Sequence, residues 1–211
     1  MVPLLPPLKD NKKIYIICEG SEEYDYLNRL KILNVWSDVY DITLRDAKGN
    51  GNLYPIYQNV YQKGNYDLVV IVCDTEKKPH EQFNDICCKV NSLHACELAS
   101  QHVVMFTNPC TMQVILLHWD TSVRLQTPSK RRSATYIEKY TGIQDYSAKE
   151  SQRTQLVSNI TKESYRTMMN GAKQLGMDAA LINSTNLQVF FAQLEQPDTN
   201  WIDEINKLIE S

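Results

Sequence analysis

Glu19, Asp74 and Glu76 are the side chains in this sequence best suited to hold a divalent cation, because Glu19 and Asp74 each end a run of apolar residues. Those runs, IYIIC and LVVIVC, are continuous rather than alternating, as expected for strands with helices on both faces. In an open parallel sheet, functional groups gather beyond the carboxyl ends of the strands. Within Asp74-Thr75-Glu76, an extended chain sends the two acids to the same side. Two carboxylates about 4 Å apart repel by roughly 1 kcal/mol in water and about 4 kcal/mol at an effective dielectric of 20, so a third needs a counter-charge. Oxygen ligands without a convincing His or Cys partner favour Mg²⁺, with Mn²⁺ second, over zinc. On this reading Asp74 and Glu76 hold metal, and Glu19 acts as general acid or base or bridges to a second ion. The alternative is that these are solvated acids at ordinary strand ends, and spacing alone favours that plainer reading.

The elements that must position these acids are four strands, expected at Lys13–Cys18, Val39–Leu44, Asp67–Cys73 and His102–Phe106. Helix-sized segments between them predict an α/β fold with a mostly parallel four-stranded sheet. A first helix is expected from Ser21 as N-cap, with Glu22 and Glu23 in its first turn and Tyr24, Leu27 and Leu30 on one face. Gly20 suits a sharp strand-to-helix turn. Further helices are expected over 52–62 and 81–99, and another starts with Asn108 as cap and Pro109 at its first position, leading into the apolar CTMQVILLHW. The loop AKGNGN reads only as a turn. After Asp120 the chain turns polar, with Thr127–Ser133 as a basic link and helices over 134–140, 151–175, 187–194 and 201–209. The expected division is 1–125 for the α/β domain and 126–211 for a helical part packing on it.

A net charge of −3 gives no whole-surface attraction for nucleic acid, so such binding needs a local basic stretch. Lys130, Arg131 and Arg132 form the main candidate, with Lys12–Lys13 and Lys77–Lys78 as lesser ones; each reads more readily as a solvated face than as a substrate contact. The six cysteines read as reduced core residues, and without a CxxC pair or a second ligand pair for His94 and Cys96, structural zinc is not expected. The opening MVPLLPP has no apolar run of signal-peptide or membrane-span length, and a cytoplasmic protein without membrane attachment is the expectation.

The segment CEGSEE after an apolar strand, with VVIVCDTE some fifty residues on, resembles the Toprim pattern: a strand-end Glu-Gly, here Glu19-Gly20, then an acidic pair, here Asp74 and Glu76. Glu76 stands where that family usually has Asp. More specifically, CEGSEEYDYL with TNPCTMQVILLHW resembles the RloB-like family. Glu23 and Tyr26 match the first signature, and Asn108, Pro109, Cys110, Leu116, Leu117 and His118 match the second. The likeness covers residues 13–120 well and YIEKYTGIQDYSAK weakly. It implies a Toprim-like (Rossmann-like) fold, a Mg²⁺-dependent nuclease acting on DNA or RNA, supporting roles for Gly20, Glu23, Asn108 and His118, an anti-phage setting of abortive-infection type, and an ATPase partner. One departure is Met112, where the family usually carries Glu; the neighbouring Gln113 is the partial substitute.

Two readings follow. One is a metal-dependent nuclease with Glu19, Asp74 and Glu76 as its machinery. The other is a catalytically inactive Toprim-shaped sensor or regulatory subunit that binds the ATPase or a phage component. A small-nucleotide phosphotransferase is disfavoured because no GxxxxGK loop occurs. On isolated residues, His118 reads as a hydrogen-bonded core histidine more readily than as a base. Homo-oligomerisation is left open.

Overall fold

The computed structural model describes residues 11–76 and 78–210, and of Lys130 only the backbone; MVPLLPP and Lys77 thus lie outside the described residues. Strands form where the apolar runs are: β1 (Lys12–Cys18), β2 (Tyr40–Asp46), β3 (Leu68–Asp74) and β4 (Val104–Asn108). They are parallel, in the order β2-β1-β3-β4. β3 lies between β1 and β4 and is buried from Leu68 through Cys73, which is why its sequence is apolar without alternation.

The sheet has five strands rather than four. β5 (Ser184–Thr185) pairs antiparallel with β4 and, at two residues, is too short to carry any hydrophobic period. It is held by side-chain chemistry at the β4 edge. Thr185 Oγ1 donates to the Phe106 carbonyl at 2.6 Å, while Asn186 accepts the Phe106 N–H at 2.7 Å and donates to the Val104 carbonyl at 3.1 Å.

The helices are α1 (Ser21–Ile32), α2 (Leu53–Lys63), α3 (Glu81–His94), α4 (Ala99–Val103), α5 (Met112–Leu116), α6 (Lys130–Thr141), α7 (Glu150–Ser158), α8 (Lys162–Ala172), α9 (Leu187–Glu195) and α10 (Asn200–Ile209). Several differ from expectation for local reasons. The expected helix over 81–99 stops at His94, where Ala95 turns left-handed (φ 51°). There the Asn91 side chain donates to the Glu97 carbonyl and accepts the Ser100 N–H, folding the chain back into α4. The segment 151–175 is two helices, because Thr161 caps α8 by accepting the Ser164 N–H at 3.1 Å. Asn108 is the last residue of β4, not a helix cap, and Pro109 precedes the helix; α5 starts only at Met112. The second half of the basic link, from Lys130, is itself the start of α6.

Gly20, not Ser21, is the residue before α1. Its backbone is extended (φ −147°), a conformation open to any residue, so the turn does not demand glycine. The buried face of α1 is Glu23, Tyr26, Leu27 and Leu30, with Tyr24 half-buried.

Residues on both sides of 125/126 share one hydrophobic core running from Ile14 to Ile209. Trp201 Nε1 of α10 donates to Tyr40 Oη at the start of β2, at 2.9 Å. Lys12 pairs with Asp203 of α10 at 3.0 Å and Asp67 at 3.5 Å, so this basic candidate ties the sheet to the last helix. Cys18 and Cys73 are core residues as expected, whereas Cys87, Cys96 and Cys110 are half-buried and Cys88 is exposed. Among the described residues no helix is long and apolar enough to cross a membrane.

Candidate functional site

Glu19 is the first residue beyond β1, and its backbone is gripped from both sides. Its N–H donates to the Val72 carbonyl of β3 at 3.0 Å, and its carbonyl accepts the Gly49 N–H at 2.7 Å. Gly49 sits at φ 117°, a conformation that favours glycine, so the loop after β2 is more than a connector: it fixes the strand end carrying the first acid. The Glu19 carboxylate in turn accepts the backbone N–H of Asp74 at 3.0 Å.

Asp74 closes β3. Its Oδ1 accepts both the backbone N–H of Thr111 (2.7 Å) and the Thr111 hydroxyl (2.8 Å), so the segment after β4 orients this carboxyl. Glu23 reaches back from the first turn of α1 to accept the Gly20 N–H at 3.0 Å, and is buried. Asp46, at the end of β2, accepts the Ser21 hydroxyl at 2.8 Å and the Lys48 N–H at 2.7 Å, locking the start of α1 to a third strand end.

Burial followed by mutual repulsion sets the electrostatics of the group. Burial pushes the Glu19 carboxyl up to about 7; Glu23 and Glu76 push the same way, while the Asp74 N–H opposes them. Burial, then Glu23 and Glu19, hold Asp74 well above the usual carboxylate range despite the two Thr111 bonds. Glu23 is raised mainly by burial and further by Glu22, against the Gly20 bond.

These acids open into one cavity of about 400 Å³. Glu19, Glu23 and Asp74 line it together with Cys110 and Met112, and the helical part supplies the facing wall through Pro128, Ser133, Tyr146, Ala148 and Arg153. Tyr146 donates its hydroxyl to Glu22 at 2.8 Å, and Arg153 Nε pairs with Asp25 at 2.7 Å, clasping this wall to α1. Glu76 also lines the cavity, but the strand has ended and the residue is left-handed (φ 57°) and exposed. The extended-chain argument that placed it beside Asp74 therefore does not hold, although the residue still lies close enough to Glu19 to push its carboxyl up. Arg131 and Arg132 are exposed in the first turn of α6, between the lining residues Pro128 and Ser133.

The remaining expected residues lie apart. Asn108 is buried and donates to the Ala179 carbonyl at 2.8 Å, tying β4 to the loop before β5. His118 is buried between α1 and α8: Nε2 is 3.1 Å from Tyr26 Oη and Nδ1 is 3.0 Å from Ser164 Oγ. Burial lowers it to about 3, so it is a neutral core histidine. Gln113 is fully buried and turned away from the acids, donating to the Val123 carbonyl and accepting the Leu125 N–H. It does not stand in for a carboxylate at Met112.

Among the described residues no three His, Cys, Asp or Glu side chains are already gathered as a metal-ligand group. The donor chemistry nevertheless fits a hard cation. Glu19, Glu23 and Asp74 offer oxygens only, each is oriented by a backbone amide, and burial followed by neighbouring carboxyls holds all three toward neutrality. Sequence reasoning missed Gly49, Thr111, Tyr146 and Arg153, which act through tertiary approach; only Asp46, an acid ending a strand run, carried a local signal. No family model, curated protein or solved structure matches the chain.

Proposed function

We propose that this chain is a Mg²⁺-dependent nuclease with a Toprim-like sheet, related to the RloB-like family, that hydrolyses nucleic-acid phosphodiesters in the cytoplasm as part of an abortive-infection defence. The observation that carries this reading is the convergence of Glu19, Glu23 and Asp74, from β1, α1 and β3, on one cavity with their ionisation suppressed by burial and proximity. Glu19, Asp74 and Glu76 are the residues that would hold Mg²⁺ or Mn²⁺. Bound there, the cation supplies polarisation of the phosphodiester and stabilisation of developing negative charge. Glu19, pushed up to about 7, is suited to gain or lose a proton at neutral pH. Thr111 holds the Asp74 carboxyl in place. Arg131 and Arg132, at the rim, meet the nucleic-acid backbone, with Lys130 beside them in sequence.

The test is cleavage of single- and double-stranded DNA, tRNA and total RNA by the purified chain with Mg²⁺, Mn²⁺ or EDTA, beside Glu19→Ala and Asp74→Ala. Metal-dependent cutting abolished in both variants supports the proposal; cutting that survives both substitutions sinks it. A second reading, a regulatory subunit binding an ATPase or a phage component, is favoured by one feature: Met112 presents a thioether to the cavity, and Gln113 does not compensate. It predicts a stable partner complex and no cleavage with any metal.

A further inference from the structure

Arg153 is the one cationic residue among those described that line the acidic cavity. Its guanidinium is anchored twice: Nε donates to Asp25 Oδ2 at 2.7 Å and Nη1 to the Ala148 carbonyl at 2.6 Å. No hydrogen-bond partner among the described residues engages Nη2. The side chain retains 17% of its exposure, so it is held firmly yet still reaches the cavity surface. A purely structural tie between α1 and α7 needs only the Asp25 and Ala148 bonds and has no use for a cavity-lining face.

We propose that Arg153 is a phosphate-contacting residue that positions a nucleic-acid backbone against the Glu19–Asp74 end of the cavity, an inference that rests on the nuclease reading. A phosphodiester entering among Glu19, Glu22, Glu23 and Asp74 meets carboxyl groups and needs hydrogen-bond donors opposite them, which the free edge of the Arg153 guanidinium supplies. A guanidinium whose other nitrogens are already satisfied presents its remaining donors in a set plane, the geometry that suits phosphate oxygens. Asp25 and Ala148 limit the rotamer entropy lost when phosphate arrives. The helical part of the chain thereby supplies a substrate contact and not only a wall.

The test is binding of a fluorescein-labelled single-stranded DNA and its RNA counterpart to the full chain in EDTA, by anisotropy over a range of salt, with thermal melting in parallel. Arg153→Gln should weaken binding about tenfold and lower the slope of log affinity against log salt by about 0.7, the share of one phosphate contact on a single strand. Arg153→Lys should recover part of the affinity, and Asp25→Asn, which removes the anchor but keeps the guanidinium, should stay within about threefold of the parent. Unchanged affinity and slope in Arg153→Gln, or an equal loss in Asp25→Asn tracking a common drop in melting temperature, would overturn the inference while leaving the nuclease reading standing. A parent protein that binds neither strand here and cuts none of the substrates of the cleavage assay with Mg²⁺ or Mn²⁺ removes the nuclease reading, and this inference with it.

Discussion

The backbone N–H of Asp74 donates to the Glu19 carboxylate at 3.0 Å, so the end of β3 orients the acid at the end of β1. Because the donor is an amide, the link survives replacement of the Asp74 side chain. Asp74→Asn should abolish cleavage while leaving Glu19 in place, with melting temperature unchanged or raised because a repelled carboxyl has been removed. Activity assays and thermal melts on the same preparation check both halves.

Stability should depend on pH through Glu19. Its carboxyl is raised from 4.5 to about 7 in the fold, so the stability it contributes is fully present below pH 4.5 and lost as pH rises through about 7. The span corresponds to roughly 3 kcal/mol. Urea unfolding in EDTA from pH 5 to pH 8 should show this decline, and Glu19→Gln should flatten it. Adding Mg²⁺ at pH 8 should restore stability in the parent and not in Glu19→Gln.

His118 acts in the opposite direction. Burial lowers it to about 3, so its contribution is full above the ordinary value of 6.5 and drains away as pH falls toward 3. The limit is about 5 kcal/mol. His118→Gln, which stays neutral, should destabilise at pH 7 by about 1–3 kcal/mol through the altered Tyr26 and Ser164 contacts. It should also lose less on acidification than the parent, a difference read by acid titration of circular dichroism.

Met112 and Gln113 separate two roles that adjoin in sequence. Met112→Glu adds a carboxyl to the cavity and should lower metal-free stability at pH 8 by about 1–3 kcal/mol, with the loss reversed by Mg²⁺. Gln113→Leu leaves the Val123 carbonyl and Leu125 N–H without partners and should cost about 2–4 kcal/mol regardless of metal. Melting with and without Mg²⁺ distinguishes the pair.

Gly171 of α8 faces the end of α5. A Cβ there would stand 3.1 Å from Thr121 Cβ and 3.3 Å from Leu117 Cδ2, and Leu117 is fully buried. Gly171→Ala gains about 1 kcal/mol of helix propensity and loses about 1–3 kcal/mol to overpacking, for a net destabilisation near 1 kcal/mol by chemical denaturation.

The parallel sheet and the two strand-end acids were legible because buried strands write long apolar runs and the acids end them. β5 was illegible because two residues bear no period, and its hold on β4 comes from Thr185 and Asn186, ordinary loop residues by sequence. The helix breaks at Ala95 and Thr161 depend on single polar side chains turning back on the backbone, which apolar periodicity does not register. Glu76 shares the cavity with Glu19 and Asp74, but by a left-handed turn and not by the extended strand that the alternation argument assumes. Arg153 had no signal of its own: a lone cation in a polar helix gains meaning only when α7 lies against α1.

Lys12 and Tyr40, at the starts of the first two strands, are both tied to α10, the last of the described helices. During synthesis these strand ends must wait until α10 has left the ribosome before their partners arrive. Arg153 and its neighbours on the cavity wall likewise emerge long after Glu19 and Asp74. A growing chain therefore carries its acids without the wall that faces them, and the pocket is whole only once α7 has followed.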